Sequence, residues 1–299
     1  MKVLVVGVDL DTFVGEQYNA LIKAGITVFT HKVTGHGLIG YFKEIFKLFR
    51  TIRRTHPDLI HAHYGLSGLC ANLQFKVPVV TTYHGSDIHS GGWILKLSRL
   101  AMHLSSYNIF VSKKLYEMSG YRKNNACIIS CGVDLNIIQP MDRDEAKVMI
   151  GRKHKFVLFS GSFTNSIKNP ELAQRSMAIL PQVELVELKG YNRQEVNLLL
   201  NAADCLLVTS HREGGPLVVK EAMACGTPVV SVDVGDVKKV IGETAGCYIA
   251  ERNPEDIARK VKQALSFYGK TEGRQRIIEL GLDNEYIAKR IVEVYKQCI

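Results

Sequence analysis

The sequence predicts an α/β fold built on parallel sheets, and three observations carry that expectation. The chain opens with an apolar strand, a loop, a helix and a second strand. Short β-branched runs then alternate with helical segments almost to the end. Between residues 211 and 236, HREGGPLVVKEAMACGTPVVSVDVGD forms a compact loop, helix and strand. With 299 residues there is room for one large α/β domain or two modest ones.

Taken in order, residues 2–8 are a strand, 11–15 a loop, and 16–24 a helix closed by Gly25, a natural left-handed cap. Residues 26–30 return as a strand, which makes the opening a Rossmann-like βαβ unit. Its first loop lacks G-x-G-x-x-G, which argues against a nicotinamide or flavin dinucleotide. Residues 38–55 form a strongly amphipathic helix. Tyr41, Phe42, Ile45, Phe46, Leu48, Phe49 and Ile52 fall at helical spacing, with Lys43, Lys47, Arg50, Arg53 and Arg54 on the other side. Packing on its own sheet is the plainer role for this helix; lying on anionic lipid is the functional one. HPDLIHAH at 56–63 is a turn entering a buried strand, and 77–83 is a strand ending in His84-Gly-Ser-Asp87. His84 sits where α/β sheets place ligands, at a strand's carboxyl end; His61 and His63 are taken as structural. Residues 93–106 are a second basic, apolar helix, and 107–111 a strand.

Residues 141–155 are polar and charged and mark the domain boundary. A second sheet begins with 156–160. Residues 171–180 are a helix, 183–188 a strand, and Asn192 with Glu195 makes a capping box before the helix 196–202. The strand 205–209 feeds the central unit. There Glu213-Gly214-Gly215 is a flexible turn and Pro216 suits a first helical position, where its missing N–H is not needed. Residues 217–224 are one short helix, Gly226 caps it, and 229–234 is a buried strand. A glycine-bearing loop entering a helix presents free N–H groups and a positive dipole end to an anion such as a phosphate. Glu213 and Glu221 flank that place, and carboxylates accept well from sugar hydroxyls. The pattern suits a ligand with both phosphate and sugar. After it come residues 237–241, a strand near Tyr248, the helix 254–268 and a closing helix, 284–297.

Composition narrows the class. Hydrophobic content of 46% and charged content of 22% are ordinary for a globular protein. No apolar run reaches the ~18–20 residues of a membrane span, and the opening is a strand rather than a signal peptide. Seven cysteines without a C-x-x-C pair argue against a disulfide framework or a structural zinc and for reduced thiols in the cytoplasm. Asp9-Leu-Asp11 and Asp142-Arg-Asp144 have metal-site spacing, which chance explains better. Residues 1–140 hold 15 Lys/Arg against 8 Asp/Glu, and 141–299 hold 23 against 21. Basicity therefore belongs to the first half and points to an anionic surface or acceptor there. No nucleic-acid module accompanies it.

Glu213-x7-Glu221 followed by Ala-Met-Ala-x-Gly-x-Pro-Val-Val resembles the donor-site signature of retaining glycosyltransferases of family 4, which have the GT-B fold. PDLIHAH and VPVVTTYHGSD resemble the first half of that family, and IISCGVDLNIIQP resembles its crossover, with Cys131 in place of the usual Asn. The resemblance implies two Rossmann-like α/β domains facing a cleft: an acceptor domain at 1–140, a donor domain at 141–282, and a helix at 283–299 crossing back. It implies that Glu213 contacts the donor sugar and Glu221 the ribose, that His84 lies near the transferred sugar, and that Asp87 belongs to the acceptor side. Gly15, Gly161, Ser162, Lys168, Gly214, Gly215, Leu217 and Val218 would surround the diphosphate, and residues Leu188 to Gly190 would read the base. Ser162 replaces the family's arginine, and Arg212 is the compensating cation. The family has one more βα unit after Lys168, and its loss accounts for the short chain.

The reading is a metal-independent, hexosyltransferase-type enzyme without cofactor. It moves a sugar from a UDP- or GDP-linked donor, with retention, to a lipid-linked acceptor or polysaccharide precursor. It would lie in the cytoplasm or peripherally on the inner membrane face. The alternatives are a non-catalytic sugar-nucleotide-binding relative, or an epimerase or phosphorylase of the same fold.

Overall fold

The computed structural model describes residues 1–8, 10, 13–35 and 37–299, with backbone alone at 13, 37–39 and 41–43. The Asp9/Asp11 pair, and the side chains of Tyr41, Phe42 and Lys43, lie outside what is described. The chain forms two compact units: Met1–Cys131 with Asn284–Ile299, and Gly132–Asp283.

In the first unit the β-branched runs form a six-stranded parallel sheet. Its strands are β1 (Lys2–Gly7), β2 (Thr27–Lys32), β3 (Leu59–His63), β4 (Val79–Tyr83), β5 (Tyr107–Phe110) and β6 (Ala126–Ile128), in the order β2-β1-β3-β4-β5-β6. Successive side chains of β1 alternate between faces. Val3 and Val5 pack with Leu21 of the helix Phe13–Lys23 and with Ile287 and Ile291 of the last helix, Asn284–Lys296. Leu4 and Val6 pack with Leu48 of the helix Gly37–Thr55 and Ala71 of the helix Gly65–Asn72. With both faces covered, the strand reads as a continuous apolar run.

The second unit holds β7 (Phe156–Phe159), β8 (Glu184–Glu187), β9 (Cys205–Val208), β10 (Val229–Val232) and β11 (Cys247–Ala250), all parallel, in the order β11-β10-β9-β7-β8. The chain winds one way from β7 to β8 and the other way from β9 onward. The carboxyl ends of β7 and β9 therefore flank a topological switch point, where open α/β sheets bind ligands. In the first unit the corresponding point lies between β1 and β3.

Four expectations need correction. The units part after Cys131, not at 140, because Val133 and Ile138 are fully buried in the second core. Val133 also bridges Asp283 and donates its N–H to the Leu282 carbonyl at 2.9 Å. Residues 141–155 are not merely a linker: Arg143–Met149 is a helix. The Asp142 carboxylate caps it by accepting from Asp144 N–H and Glu145 N–H, which gives that acidic pair a structural role. Gly15 lies inside the helix Phe13–Lys23 rather than in a loop before it. Pro216 is the cap of the helix Leu217–Ala224 rather than its first residue.

Candidate functional site

Three strand ends of the second unit deliver the predicted donor residues to one sheet edge. After β7 the chain turns through Gly161 into a 3-10 turn, Ser166–Lys168, capped by the Asn165 side chain on Ile167 N–H. A Cβ on Gly161 would come within 2.7 Å of the Lys168 Cγ, so glycine is what lets that stem pass. The Thr209 hydroxyl donates to the carbonyls of Lys168 and Asn169, and His211 N–H to that of Ile167, which clips this turn to the loop after β9. Lys168 Nζ thereby reaches Glu213 Oε1 at 2.7 Å, and the same oxygen accepts from the Ser210 hydroxyl at 2.7 Å. Both side chains of the pair are largely shielded, which strengthens a charge-assisted bond relative to one in water.

Glu213 opens the turn into the helix Leu217–Ala224. No side chain caps that helix, so the first-turn N–H groups of Leu217 and Val218 have no partner within it. The turn is braced from below. Lys220, fully buried, pairs with Asp236 at 3.0 Å, and a Cβ on Gly215 would meet the Asp236 carboxylate at 3.2 Å. One turn into the helix, Glu221 is buried and accepts from the Arg193 guanidinium. Arg193 begins the helix Arg193–Ala202 that follows β8, whose end carries Leu188 and Gly190. Leu188 N–H is held by the carbonyls of Phe159 and Gly161, which ties the segment after β8 to the Lys168 turn.

In the first unit, His84 follows β4 and meets the last residue of β3: His63 Nδ1 lies 2.9 Å from His84 Nε2, with the rings stacked at 5.2 Å. The Cys131 thiol is 3.8 Å from His84 Nδ1. His61 lies between the Tyr295 hydroxyl (2.6 Å) and that of Thr82 (2.7 Å). Burial holds His61 and His84 down to about 3 and His63 well below the ordinary value, so all three are neutral at pH 7. A neutral imidazole at His84, a partly exposed residue, has hydrogen bonds rather than charge to offer. Asp87 is buried and accepts from Gly85 N–H (2.8 Å) and Gly65 N–H (3.2 Å), shaping the loop that presents His84. Burial raises its carboxyl to about 6.

The structure thus brings Gly161, Lys168, Leu188, Gly190, Glu213, Gly214, Gly215, Leu217, Val218 and Glu221 to one edge of the second sheet. Ser162 Oγ lies 2.8 Å from the Thr164 hydroxyl, and Arg212 is exposed beside Glu213. His84, Asp87 and Gly15 belong to the first unit. Sequence reasoning missed Arg193, Ser210 and the Lys220–Asp236 brace, and it left His63 as structural. Only the capping box beside Arg193 was a signal, and it announces a helix start rather than a partner for Glu221.

Residues 182–281 match the family model of glycosyl transferases group 1, and residues 6–137 that of Glycosyltransferase Family 4. The chain is 29% identical over 247 residues to the candidate teichuronic acid biosynthesis glycosyltransferase TuaC of Bacillus subtilis, covering 70% of this chain and 61% of that one. It is 25% identical over 234 residues to the D-inositol 3-phosphate glycosyltransferase of Mycobacterium marinum, covering 60% of this chain and 49% of that one. The chain therefore spans about half to three fifths of the length of these relatives. Among solved structures, sucrose-phosphate synthase from Thermosynechococcus elongatus superposes with a TM-score of 0.86 at 17% identity, over 99% of this chain and 98% of that one. Anabaena Alr3699/HepE in complex with UDP-glucose gives 0.77 at 17% identity, over 99% of both.

Proposed function

Because the chain has the GT-B fold and belongs to glycosyltransferase family 4, the group 1 glycosyl transferases, we propose that it transfers a sugar from a nucleotide-sugar donor with retention at the anomeric carbon. One observation supports this reading above the others. A cation, an uncapped helix start and two separately held carboxylates meet at the switch point of the second sheet. In the proposed mechanism, Lys168 and the N–H groups of Leu217 and Val218 receive the charge that builds on the departing diphosphate. Glu213, steadied by Ser210, orients the sugar. Glu221, steadied by Arg193, takes the ribose diol, and the segment Leu188 to Gly190 takes the base. Arg193 and Arg212 supply the positive charge that Ser162 does not. His84 is the neutral group offered to the sugar or its acceptor, and Asp87 keeps its loop in place.

The donor is UDP- or GDP-linked, and UDP-glucose, bound in the HepE structure, is the first to test. The acceptor is a lipid-linked sugar or polysaccharide precursor met at an anionic membrane face. In support, Phe46 is 61% exposed on the helix Gly37–Thr55 beside exposed Lys47, Arg50, Arg53 and Arg54. Among the described residues no helix is long and apolar enough to cross a membrane. A thermal-shift screen of nucleotide sugars, followed by detection of labelled sugar on an extracted lipid fraction, tests the reading. Stabilisation by a nucleotide sugar and label in product are expected; an isomerised donor without transfer would identify an epimerase instead.

A further inference from the structure

A polar cavity lies at the opposite end of the same sheet. Lys155 immediately precedes β7, whereas Gly161 follows it, so the two edges are about 20 Å apart along the strand. The cavity measures about 560 Å³ and is lined by Arg143, Lys155 and Lys270, by Asp142 and Asp144, and by Tyr268.

Its three cations are positioned largely by neutral oxygens. Arg143 donates to the Gly269 carbonyl at 2.9 Å, Lys155 to that of Leu265 at 3.2 Å, and Lys270 to the Asn201 side chain at 3.0 Å. Of the carboxylates near Arg143, Asp204 is 3.8 Å away and already holds Lys147 at 2.8 Å, and Asp142 caps its own helix. The Arg143 Nε is buried without a hydrogen-bond partner. Burial, with the Arg143 charge adding to it, lowers Lys270 to about 8, and a bound anion would relieve that cost. Tyr268 is 99% exposed at the rim, a whole aromatic ring without packing partners.

We infer that this cavity is a second ligand site, taking a sugar that carries an anionic group, either a hexose phosphate or a hexuronate unit. The chemistry divides among the groups. The cations neutralise the phosphate or carboxylate, Asp142 and Asp144 accept from hydroxyls, and Tyr268 covers an apolar sugar face. The cavity holds one or two sugar rings. It is distinct from the Lys168–Glu213 edge, and the inference does not depend on what that edge binds.

NMR titration of the ¹⁵N-labelled chain with α-D-glucose 1-phosphate, D-glucuronate, D-glucose and inorganic phosphate tests it. Both anionic sugars are expected to shift the amides of Tyr268, Gly269 and Lys270, with D-glucose much weaker. Lys155→Glu should weaken both anionic sugars about tenfold. Tyr268→Ala should weaken the sugars while leaving inorganic phosphate unchanged, and Lys168→Ala should leave all four titrations at these amides unchanged. Both cavity variants alter exposed side chains, so folding is preserved. Tighter binding of trigalacturonate than of D-glucuronate would support a polymer as the source of the sugar. Tighter binding of glucose 1-phosphate than of either would support a free metabolite. The inference is overturned if neither anionic sugar shifts these amides, if D-glucose binds as well, or if Lys155→Glu and Tyr268→Ala leave the titrations unaltered.

Discussion

Removing either partner of the Arg193–Glu221 pair should have opposite consequences for stability and for ligand binding. Glu221 is 3% exposed, whereas the Arg193 side chain is 30% exposed. Glu221→Ala leaves behind a guanidinium that water can reach, so the fold loses about 1 kcal/mol, or ~2–4 °C in Tm for a chain of this size. Donor affinity loses more. Each charge-assisted bond from a ribose hydroxyl to an ionised carboxylate is worth roughly 1.5–3 kcal/mol, so the nucleotide Kd rises about tenfold or more. Arg193→Ala strands a buried carboxylate, at a cost of about 3 kcal/mol, the low end for a broken buried pair because Arg193 is partly hydrated. Its effect on Kd is the smaller of the two, since the carboxylate proposed to meet the ribose survives. Calorimetric titration with UDP and GDP, alongside thermal melts of both variants, measures the two orders. An unchanged Kd in Glu221→Ala would remove Glu221 from the site. A smaller loss of Tm in Arg193→Ala than in Glu221→Ala would refute the energetic argument.

Transfer should proceed at full rate in excess chelator, because in the proposed mechanism Lys168 and backbone N–H groups do the work of a cation at the diphosphate. Loss of activity on chelation, restored by manganese or magnesium, would sink that mechanism. Liposome flotation should carry the wild type with anionic vesicles at low salt but not the Lys47→Glu, Arg50→Glu, Arg54→Glu variant, since each basic side chain near the leaflet contributes about 1 kcal/mol. Equal recovery of both in the soluble fraction would make the helix merely structural. Acid should destabilise the first unit. His61, His63 and His84 have folded values below 6.5, so the unfolded chain binds the extra protons and stability falls as pH drops from 6.5 towards 3. For fully buried His61 the loss at pH 5.5 is on the order of 1 kcal/mol. Asp87, raised to about 6, opposes this by holding its proton in the folded state, but it is one group against these three and His31, which burial also lowers. A Tm that rises between pH 7.5 and 5.5 would refute the assignment.

The sequence made the central helix legible to the residue, because its boundaries are set by local chemistry: proline before it and Gly226, with φ +70°, after it. Continuous apolar strands such as β1 and β9 were equally plain. What escaped was short or long-range. The three-residue β6 and the seven-residue helices Lys113–Ser119 and Gly273–Glu279 are too brief for a periodicity to register. The unit boundary escaped because Val133 and Ile138 look like any loop residues until the core that receives them is known. Arg193 and Glu221 are 28 positions apart and meet only because β8 and β9 flank β7.

The last helix has a consequence for the order in which the molecule takes shape. Its Ile287, Ile291 and Tyr295 close the core of the first unit, where Tyr295 also bonds His61. All of Gly132–Asp283 leaves the ribosome before those residues do. The second unit can therefore finish folding while the first, although made earlier, still exposes Val3, Val5 and Leu59 on one face of its sheet. A released chain ending at residue 283 should present a protease-resistant later half and a protease-sensitive earlier one, the reverse of simple vectorial folding. Residues 284–299 would then decide when the first unit becomes native.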